Sequence, residues 1–202
     1  MKTIQRYTAG VVAPGGAAAL RSGAVFSADG RYRYRLWRRW DRAKPVVAFV
    51  MLNPSTASAR RDDPTIRRCI AFARAWGFGG LEVVNVFAYR ATDPRRLREV
   101  ADPVGPWNAR YLRTVVGRAA LVVLAWGARA SEDEMLAFPG ARCLGLTRSG
   151  QPRHPLYLRR DTVPIKLNEQ DAHRAVKRER EVRSRPRSKG LASVGRGRRS
   201  AA

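Results

Sequence analysis

Residues 46–69, VVAFVMLNPSTASARRDDPTIRRC, contain the main signal from which the fold of this chain is predicted. This stretch begins with a continuous apolar run, residues 46–52, which is typical of a β-strand buried on both faces. Asp63 and Pro64 then provide a helix N-cap and a first helical residue. Apolar residues follow at helical spacing. A buried strand that leads into an amphipathic helix is the repeating unit of an α/β domain.

The same alternation continues towards the C-terminus. Further strands are predicted at residues 81–89, 121–126 and 141–146, and further helices after Pro106 and over about residues 128–137. Strands that alternate with helices pair in parallel through crossover connections. We therefore expect a three-layer α/β/α domain with a mainly parallel four-stranded sheet.

Residues before this stretch predict a β-hairpin. Asp29 and Gly30 form a turn signal between two strand-like segments. In the second segment, residues 31–36, tyrosines and a leucine alternate with arginines, which predicts an edge strand with one apolar face and one solvated basic face.

The domain boundaries follow from composition. Residues 1–22 are small and rich in Gly and Pro and are expected to be flexible, residues 23–171 form the α/β domain, and residues 172–202 form a basic, mostly disordered tail. The tail holds 11 of the 40 basic and 2 of the 16 acidic residues, so +9 of the net charge of +24 lies there and +15 lies in the rest of the chain.

Composition also narrows the function classes. A chain with a net charge of +24 in 202 residues is expected to bind a polyanion, most often nucleic acid, and DNA is the favoured partner. The arginine-rich composition is also typical of a GC-rich genome, so charge alone does not settle the partner. No apolar run is long enough to cross a membrane. Two cysteines, Cys69 and Cys143, favour a reducing cytoplasm and predict no metal or cofactor.

Polar residues follow each predicted strand. Ligands of open α/β sheets bind outside the carboxyl ends of the strands. Because these ends meet at one edge, we expect a cleft lined by Asn53 and its neighbours, Asn85, Trp126 and the loop that carries His154. The sequence contains no phosphate-binding glycine loop and no metal-ligand spacing. Asp63 is explained by helix capping.

The chemistry of this cleft leaves two interpretations open. An asparagine can place a water or contact a base edge but is a poor proton acceptor, and a histidine can donate to a developing oxyanion. Alternatively, Asn53 forms a local Asx-turn and His154 is a structural hydrogen-bonding residue.

Five motifs in order carry a family resemblance. LNPSTA, DDPTIRRC, VVNVFAYRATDP, LAWG and the PRHPLYL stretch resemble an uncharacterised bacterial and phage family known only as a domain of unknown function, DUF1643-like. More distantly, the same order is similar to the uracil-DNA glycosylase superfamily, whose members carry a four-stranded parallel sheet between helices.

The glycosylase resemblance implies roles for individual residues. It implies that Asn53 positions the hydrolytic water, that Asn85 faces the base pocket and that His154 supports the oxygen of the departing base. It further implies a wedge at Leu156 or Tyr157 that assists base extrusion. The remaining candidates for base or substrate binding are Pro54, Ser55, Thr56, Tyr89 and Trp126, and those for contacts with the nucleic-acid backbone are Arg90, Arg153, Arg159 and Arg160.

Three functions are therefore compatible with the sequence. The first is a base-recognising protein of glycosylase type that hydrolyses an N-glycosidic bond of a flipped base. The second is a non-catalytic nucleic-acid-binding module on the same fold. The third is an enzyme that acts on a small nucleotide. The sequence predicts no oligomeric state.

Overall fold

A computed structural model describes residues 3–10, 21–128 and 137–167 of the chain. Within these residues, one eight-stranded sheet and two α-helices form the body of the protein. The strands are β1 (Ile4–Gly10), β2 (Arg21–Ser27), β3 (Arg33–Arg39), β4 (Val46–Met51), β5 (Gly80–Asn85), β6 (Leu121–Leu124), β7 (Arg142–Cys143) and β8 (Ile165–Lys166). The helices are α1 (Pro64–Ala75) and α2 (Asn108–Val116), with short 3₁₀ helices at Pro94–Arg98 and Pro155–Tyr157.

The centre of the sheet is a block of four parallel strands. β4 pairs in parallel with β5 on one side and β6 on the other, and β6 pairs in parallel with β7. These are the four strands that the sequence predicts, although each ends earlier than expected, the first by only one residue. The predicted alternation of strand and helix is confirmed at α1, which begins at Pro64 behind its N-cap Asp63.

The whole sheet is mixed, so the prediction of a mainly parallel four-stranded sheet is wrong. The strand order is β1-β2-β3-β5-β4-β6-β7-β8, and the outer strands pair in antiparallel fashion. The hairpin of β2 and β3 continues the sheet because β3 pairs with β5. The backbone groups at the edge of β5 are thereby hydrogen-bonded, which protects an otherwise exposed edge.

The hairpin turn itself matches its sequence signal. Gly30 has a φ of +69°, and the Asp29 carboxylate accepts from the Ser27 hydroxyl at 2.5 Å and from the Arg31 N–H at 3.1 Å. β1 lies within the 22 residues expected to be flexible, where Ile4–Gly10 pairs with β2.

A β-bulge changes which residues of β3 are buried. Val25 pairs with Arg35 and Phe26 with Arg33, so Tyr34 is an extra residue in the ladder. Arg33 is therefore turned into the protein and is only 3% exposed. The expected solvated basic face is wrong at this position, because a single bulge shifts the alternation by one residue.

The two helices cover opposite faces of the sheet and make the three-layer arrangement. Ile66, Cys69 and Phe72 of α1 pack with one face of β4, and Val115 of α2 packs in the core cluster on the other face. The predicted helix at residues 128–137 and the tail from residue 172 lie outside the described residues, apart from the ends of that helix. None of the described helices is long and apolar enough to cross a membrane.

Candidate functional site

Hydrogen bonds join the loops that follow the four parallel strands. The N–H of Ala91, after β5, donates to the carbonyl of Pro54, after β4, at 2.9 Å. The N–H of Gly127, after β6, donates to the carbonyl of Pro152 at 2.8 Å, and Pro152 belongs to the loop that carries His154. The loops are thus fixed in two pairs at one edge of the sheet: those after β4 and β5, and those after β6 and β7.

These loops enclose a cavity of about 430 Å³. Its volume falls in the range of roughly 300–1,000 Å³ that is typical of small-molecule sites. Five of the predicted site residues line it: Asn53, Ser55, Asn85, Trp126 and His154. Its other wall residues include Arg33, Asp63, Thr65, Thr92 and Tyr157. The structure therefore brings together three distant stretches of chain, as the sequence predicts.

Asn85 is the most unusual polar residue in the cavity. As the last residue of β5, it is only 1% exposed. Both Nδ2 and Oδ1 of its side chain are buried and have no hydrogen-bond partner within the described residues. An unpaired buried amide costs about 1–3 kcal/mol, so these two atoms are positions at which a water or a ligand would gain hydrogen bonds.

One polar atom of the Asn53 side chain is hydrogen-bonded to the protein, and the other can still accept a hydrogen bond. Its Nδ2 donates to the carbonyl of Pro54 at 3.0 Å and to the carbonyl of Ala91 at 2.7 Å. Its Oδ1 makes no hydrogen bond within the described residues. Neither bond is the Asx-turn considered from the sequence, in which the side-chain oxygen would accept from the backbone two residues on. The bonds to Pro54 and Ala91 fix the side chain, so Oδ1 remains as a hydrogen-bond acceptor.

His154 caps the 3₁₀ helix Pro155–Tyr157. Its Nδ1 accepts from the N–H of Leu156 at 3.3 Å, so the proton of the neutral ring lies on Nε2. Burial lowers the pKa of His154, and the attraction of Asp63 opposes this shift. At neutral pH His154 is thus an uncharged N–H donor on the cavity wall.

Trp126 forms an aromatic side of the cavity. It is 2% exposed, and its Nε1 donates to Oε1 of Gln151 at 2.9 Å. Because the indole N–H is bonded to protein, the ring offers only an apolar surface to a ligand. Tyr157 also lines the cavity but is 79% exposed, with its ring centroid 6.0 Å from that of His154.

Seven predicted site residues do not line the cavity: Pro54, Thr56, Tyr89, Arg90, Arg153, Arg159 and Arg160. The N–H of Tyr89 donates to the carbonyl of Pro103 at 3.0 Å, and its ring packs edge-on against Tyr32 at 5.8 Å. The guanidinium of Arg90 donates to the carbonyl of Gly30 at 2.9 Å and covers the ring of Phe26. Both side chains connect the hairpin to the loop after β5. Their contacts in this structure therefore stabilise the fold.

The three other arginines are exposed around the histidine loop. Arg153 and Arg160 are exposed, and Arg159 pairs with Asp161 at 3.1 Å on the surface. This loop is attached to α1, because the guanidinium of Arg68 donates to the carbonyl of Leu158 and Nε1 of Trp76 donates to the carbonyl of Thr162.

The sequence interpretation missed two charged residues of the cavity. Arg33 donates from Nη1 to the carbonyl of Ala57 at 3.0 Å, while its buried Nε has no partner within the described residues. Burial lowers the pKa of Arg33 to about 10, and the attraction of Asp63 opposes this shift. Arg33 is therefore still charged at neutral pH. The burial of Arg33 is not visible in the sequence, because alternation alone predicts an exposed residue at this position and the bulge reverses it.

The second missed residue is Asp63, which the sequence predicts only as a helix cap. Its Oδ1 does accept from the N–H of Ile66 at 2.8 Å, as expected of an N-cap. The same side chain also lines the cavity. Within the described part of the chain, no three His, Cys, Asp or Glu side chains form a group that could hold a metal ion, and Cys69 and Cys143 are buried free thiols.

A family model described as a protein of unknown function (DUF1643) matches residues 33–156. The matched range begins with β3 and ends in the histidine loop, so it contains every residue named above as lining the cavity except Tyr157. No curated protein and no solved structure matches the chain.

Proposed function

The chain belongs to this DUF1643 family of unknown function, and we propose that it recognises a base turned out of DNA and hydrolyses its N-glycosidic bond. The observation that carries the proposal is the side chain of Asn85, buried and unpaired in a cavity that also holds Asn53 and His154. The proposal combines this geometry with the positive charge of the chain.

The amide of Asn85 fits the edge of a nucleobase. Each base presents a hydrogen-bond donor next to an acceptor, and an amide can match both at once. A bound base would supply the hydrogen-bond partners that Nδ2 and Oδ1 lack within the described residues. A buried polar site discriminates strongly, because a ligand without matching groups leaves the amide unpaired.

Asn53 and His154 supply two further elements of the reaction. Oδ1 of Asn53 can accept a hydrogen bond from water and hold it beside the sugar. Nε2–H of His154 can donate to an oxygen of the base, on which negative charge develops as the bond breaks. Donors of this kind, aimed at developing charge, typically contribute about 100-fold to 1,000-fold in rate.

The surface around the cavity favours a polymer substrate. Tyr157 and Leu156 are exposed at 79% and 38%, and the neighbouring Arg153, Arg159 and Arg160 are also exposed. Aromatic and apolar side chains beside a base pocket can fill the space that a flipped base leaves in the duplex. The arginines would bind phosphates on either side of it.

The likeness to uracil-DNA glycosylases supports this proposal through motifs. Asn53-Pro54, Asn85 and His154-Pro155 occur in the expected order, and the four central strands are parallel. Ser55 departs from the glycine that usually follows the first motif's proline. This departure favours a base-binding protein without catalysis, which the experiment below separates from an enzyme.

The proposal is tested with oligonucleotide duplexes that carry uracil, a mismatched base or a modified base. Base release is measured by strand cleavage at the resulting abasic site after treatment with alkali. We expect release from at least one duplex by the wild-type protein and a loss of it in Asn53→Ala. Binding without release would identify a non-catalytic module, and neither binding nor release would contradict the proposal.

One observation favours a small nucleotide as a second candidate substrate. The guanidinium of Arg33 lies in the cavity wall, where it could hold a phosphate of a free nucleotide. An enzyme of this kind should keep its turnover when residues 172–202 are deleted. A large loss on deletion would instead point to a polymer that the basic tail contacts.

A further inference from the structure

We propose that the β2–β3 hairpin and the loop before α2 form a second ligand site, which binds a small, uncharged, planar heteroaromatic molecule with a hydrogen-bond acceptor. They enclose a cavity of about 340 Å³, here called the hairpin cavity. This volume also falls in the range of roughly 300–1,000 Å³ that is typical of small-molecule sites. No residue lines both this cavity and the one that contains Asn85, so the inference goes beyond the proposed function. The walls include Asp29, Arg31, Tyr32, Tyr34, Pro106 and Trp107.

Two buried hydrogen-bonding groups on these walls lack a partner. Tyr34 is fully buried, and its Oη makes no hydrogen bond within the described residues. The same holds for Nε1 of Trp107, which is also buried. Folded proteins pair the great majority of their buried polar groups. Two unpaired groups in one cavity are therefore positions at which a ligand would gain hydrogen bonds.

These two groups define what the ligand must carry. An indole N–H can only donate a hydrogen bond, whereas a phenol can donate or accept. Burial raises the pKa of Tyr34 to about 12, so this phenol keeps its proton at neutral pH. A ligand must therefore present an acceptor to Trp107, while a donor or an acceptor can bond to Tyr34. A hydrocarbon ring without polar atoms would leave both groups unpaired.

The tyrosine rings of the hairpin cavity favour a flat ligand. The ring of Tyr34 lies nearly parallel to those of Tyr32 and Tyr111, with centroid distances of 6.1 and 5.5 Å. Oη of Tyr32 donates to the carbonyl of Asp102 at 2.8 Å, which fixes the second ring. Aromatic side chains pack well against a further aromatic ring, by offset stacking or edge to face.

The wall opposite the hairpin is held in place by Gly105. Its φ is +84°, and a Cβ at this position would lie 2.7 Å from Cδ1 of Tyr32. Its N–H donates to Oδ1 of Asp102 at 2.8 Å. The absence of a side chain thus lets the loop before α2 approach Tyr32 and places Trp107 at the cavity. A preformed site of this kind loses little conformational freedom when it binds.

The charges at the hairpin turn favour a ligand without net charge. Asp29 and Arg31 line the cavity and are both exposed. Hydrogen bonds from the Ser27 hydroxyl and the Arg31 N–H lower the pKa of Asp29, so it is ionised at neutral pH. The guanidinium of Arg31 carries the opposite charge. All other residues that line the cavity are uncharged, and a charged ligand would lose its hydration there without a buried counter-charge.

NMR titration of the full chain without DNA tests the site. Coumarin, chromone and caffeine serve as probes, because each is flat and uncharged and carries a ring carbonyl. We expect at least one of them to shift the indole N–H signal of Trp107 downfield and to saturate it. The signal is assigned by its absence in Trp107→Phe. Indole is the matched control compound, since it is flat and has two rings but no acceptor, and we expect it to bind at least about tenfold more weakly.

The substitution Tyr34→Phe removes the buried hydroxyl and keeps the ring. We expect the Kd of the bound probe to rise about tenfold, while the melting temperature stays the same or rises. Tyr111→Phe is the matched control variant, because Tyr111 stacks on Tyr34 but does not line the hairpin cavity, and its Kd should equal that of the wild type.

Three results would overturn the proposal. The first is that no probe shifts the Trp107 signal near its solubility limit. The second is that Tyr34→Phe binds the probe with the wild-type Kd. The third is a lower melting temperature of Tyr34→Phe, which would show that the hydroxyl is bonded within the folded protein. Because no DNA is present, these results do not depend on whether the protein releases a base.

Discussion

The side chain of Asn108 holds the backbone of Asn85. Its Nδ2 donates to the carbonyl of Asn85 at 2.9 Å and to the carbonyl of Val86 at 2.8 Å. Asn108 is the first residue of α2 and is fully buried. The helix on one face of the sheet therefore fixes the strand end that carries the unpaired amide. We interpret Asn108 as a positioning residue for the candidate site.

We expect Asn108→Ala to lower the free energy of unfolding by about 2–4 kcal/mol, because two buried carbonyls lose their donor. Base release measured below the melting temperature should fall as well, with Asn85 less firmly placed. Denaturant unfolding and single-turnover kinetics measure the two effects. Thr114→Ala is the control, since this exposed hydroxyl bonds only within α2. A stability loss with unchanged kinetics would show that Asn108 has a structural role alone.

Asn85→Leu separates stability from recognition. Leucine has a similar size and no polar atoms, so it removes a buried amide that lacks partners within the described residues. We expect the free energy of unfolding to stay the same or rise by about 1 kcal/mol, while base release and base-dependent binding are lost. Urea titrations and the duplex assay provide the readouts. A clear loss of stability would indicate that Asn85 is bonded within the folded protein.

The sequence was sufficient for the parallel block and for the convergence of Asn53, Asn85 and His154. Continuous apolar runs and the Asp63-Pro64 signal are local, and the meeting of parallel strand ends follows from topology. Arg33 could not be predicted, because its burial depends on the bulge at Tyr34 and on pairing between β2 and β3. The positions of Tyr89 and Arg90 outside the cavity could not be predicted for a similar reason, since their contacts are with the hairpin and the loop near Pro103.

The lowered pKa of His154 implies a pH dependence of stability. As the pH falls below about 6.5, the unfolded chain takes up a proton at His154 before the folded chain does, so the free energy of unfolding decreases. The decrease ends once the pH lies below the lowered pKa of the folded state. Between about pH 7 and pH 5, we expect the free energy of unfolding of His154→Gln to decrease less than that of the wild type. These two pH values are about the limits of histidine titration. An identical pH dependence of the wild type and His154→Gln would contradict the shift.

The exposed arginines of the histidine loop should contribute to DNA binding through phosphates. For Arg153→Ala and Arg160→Ala, we expect weaker binding of every duplex and a salt-dependence slope lower by about 1 for each residue. Fluorescence anisotropy at several salt concentrations measures the slope. Arg42→Ala is the control, because Arg42 precedes β4 and thus lies at the opposite end of the sheet. Equal slopes for all three variants would exclude a specific role for this loop.

The hairpin that pairs with β5 has a practical consequence for any shortened version of the chain. The range matched by the family model, residues 33–156, contains β3 but neither β1, β2 nor β8. A fragment that ends at those limits would leave β3 and β7 as edge strands with unpaired backbone N–H and C=O groups. We expect copies of this fragment to associate through these edge strands more readily than copies of the full chain. Light scattering of the two versions measures the difference.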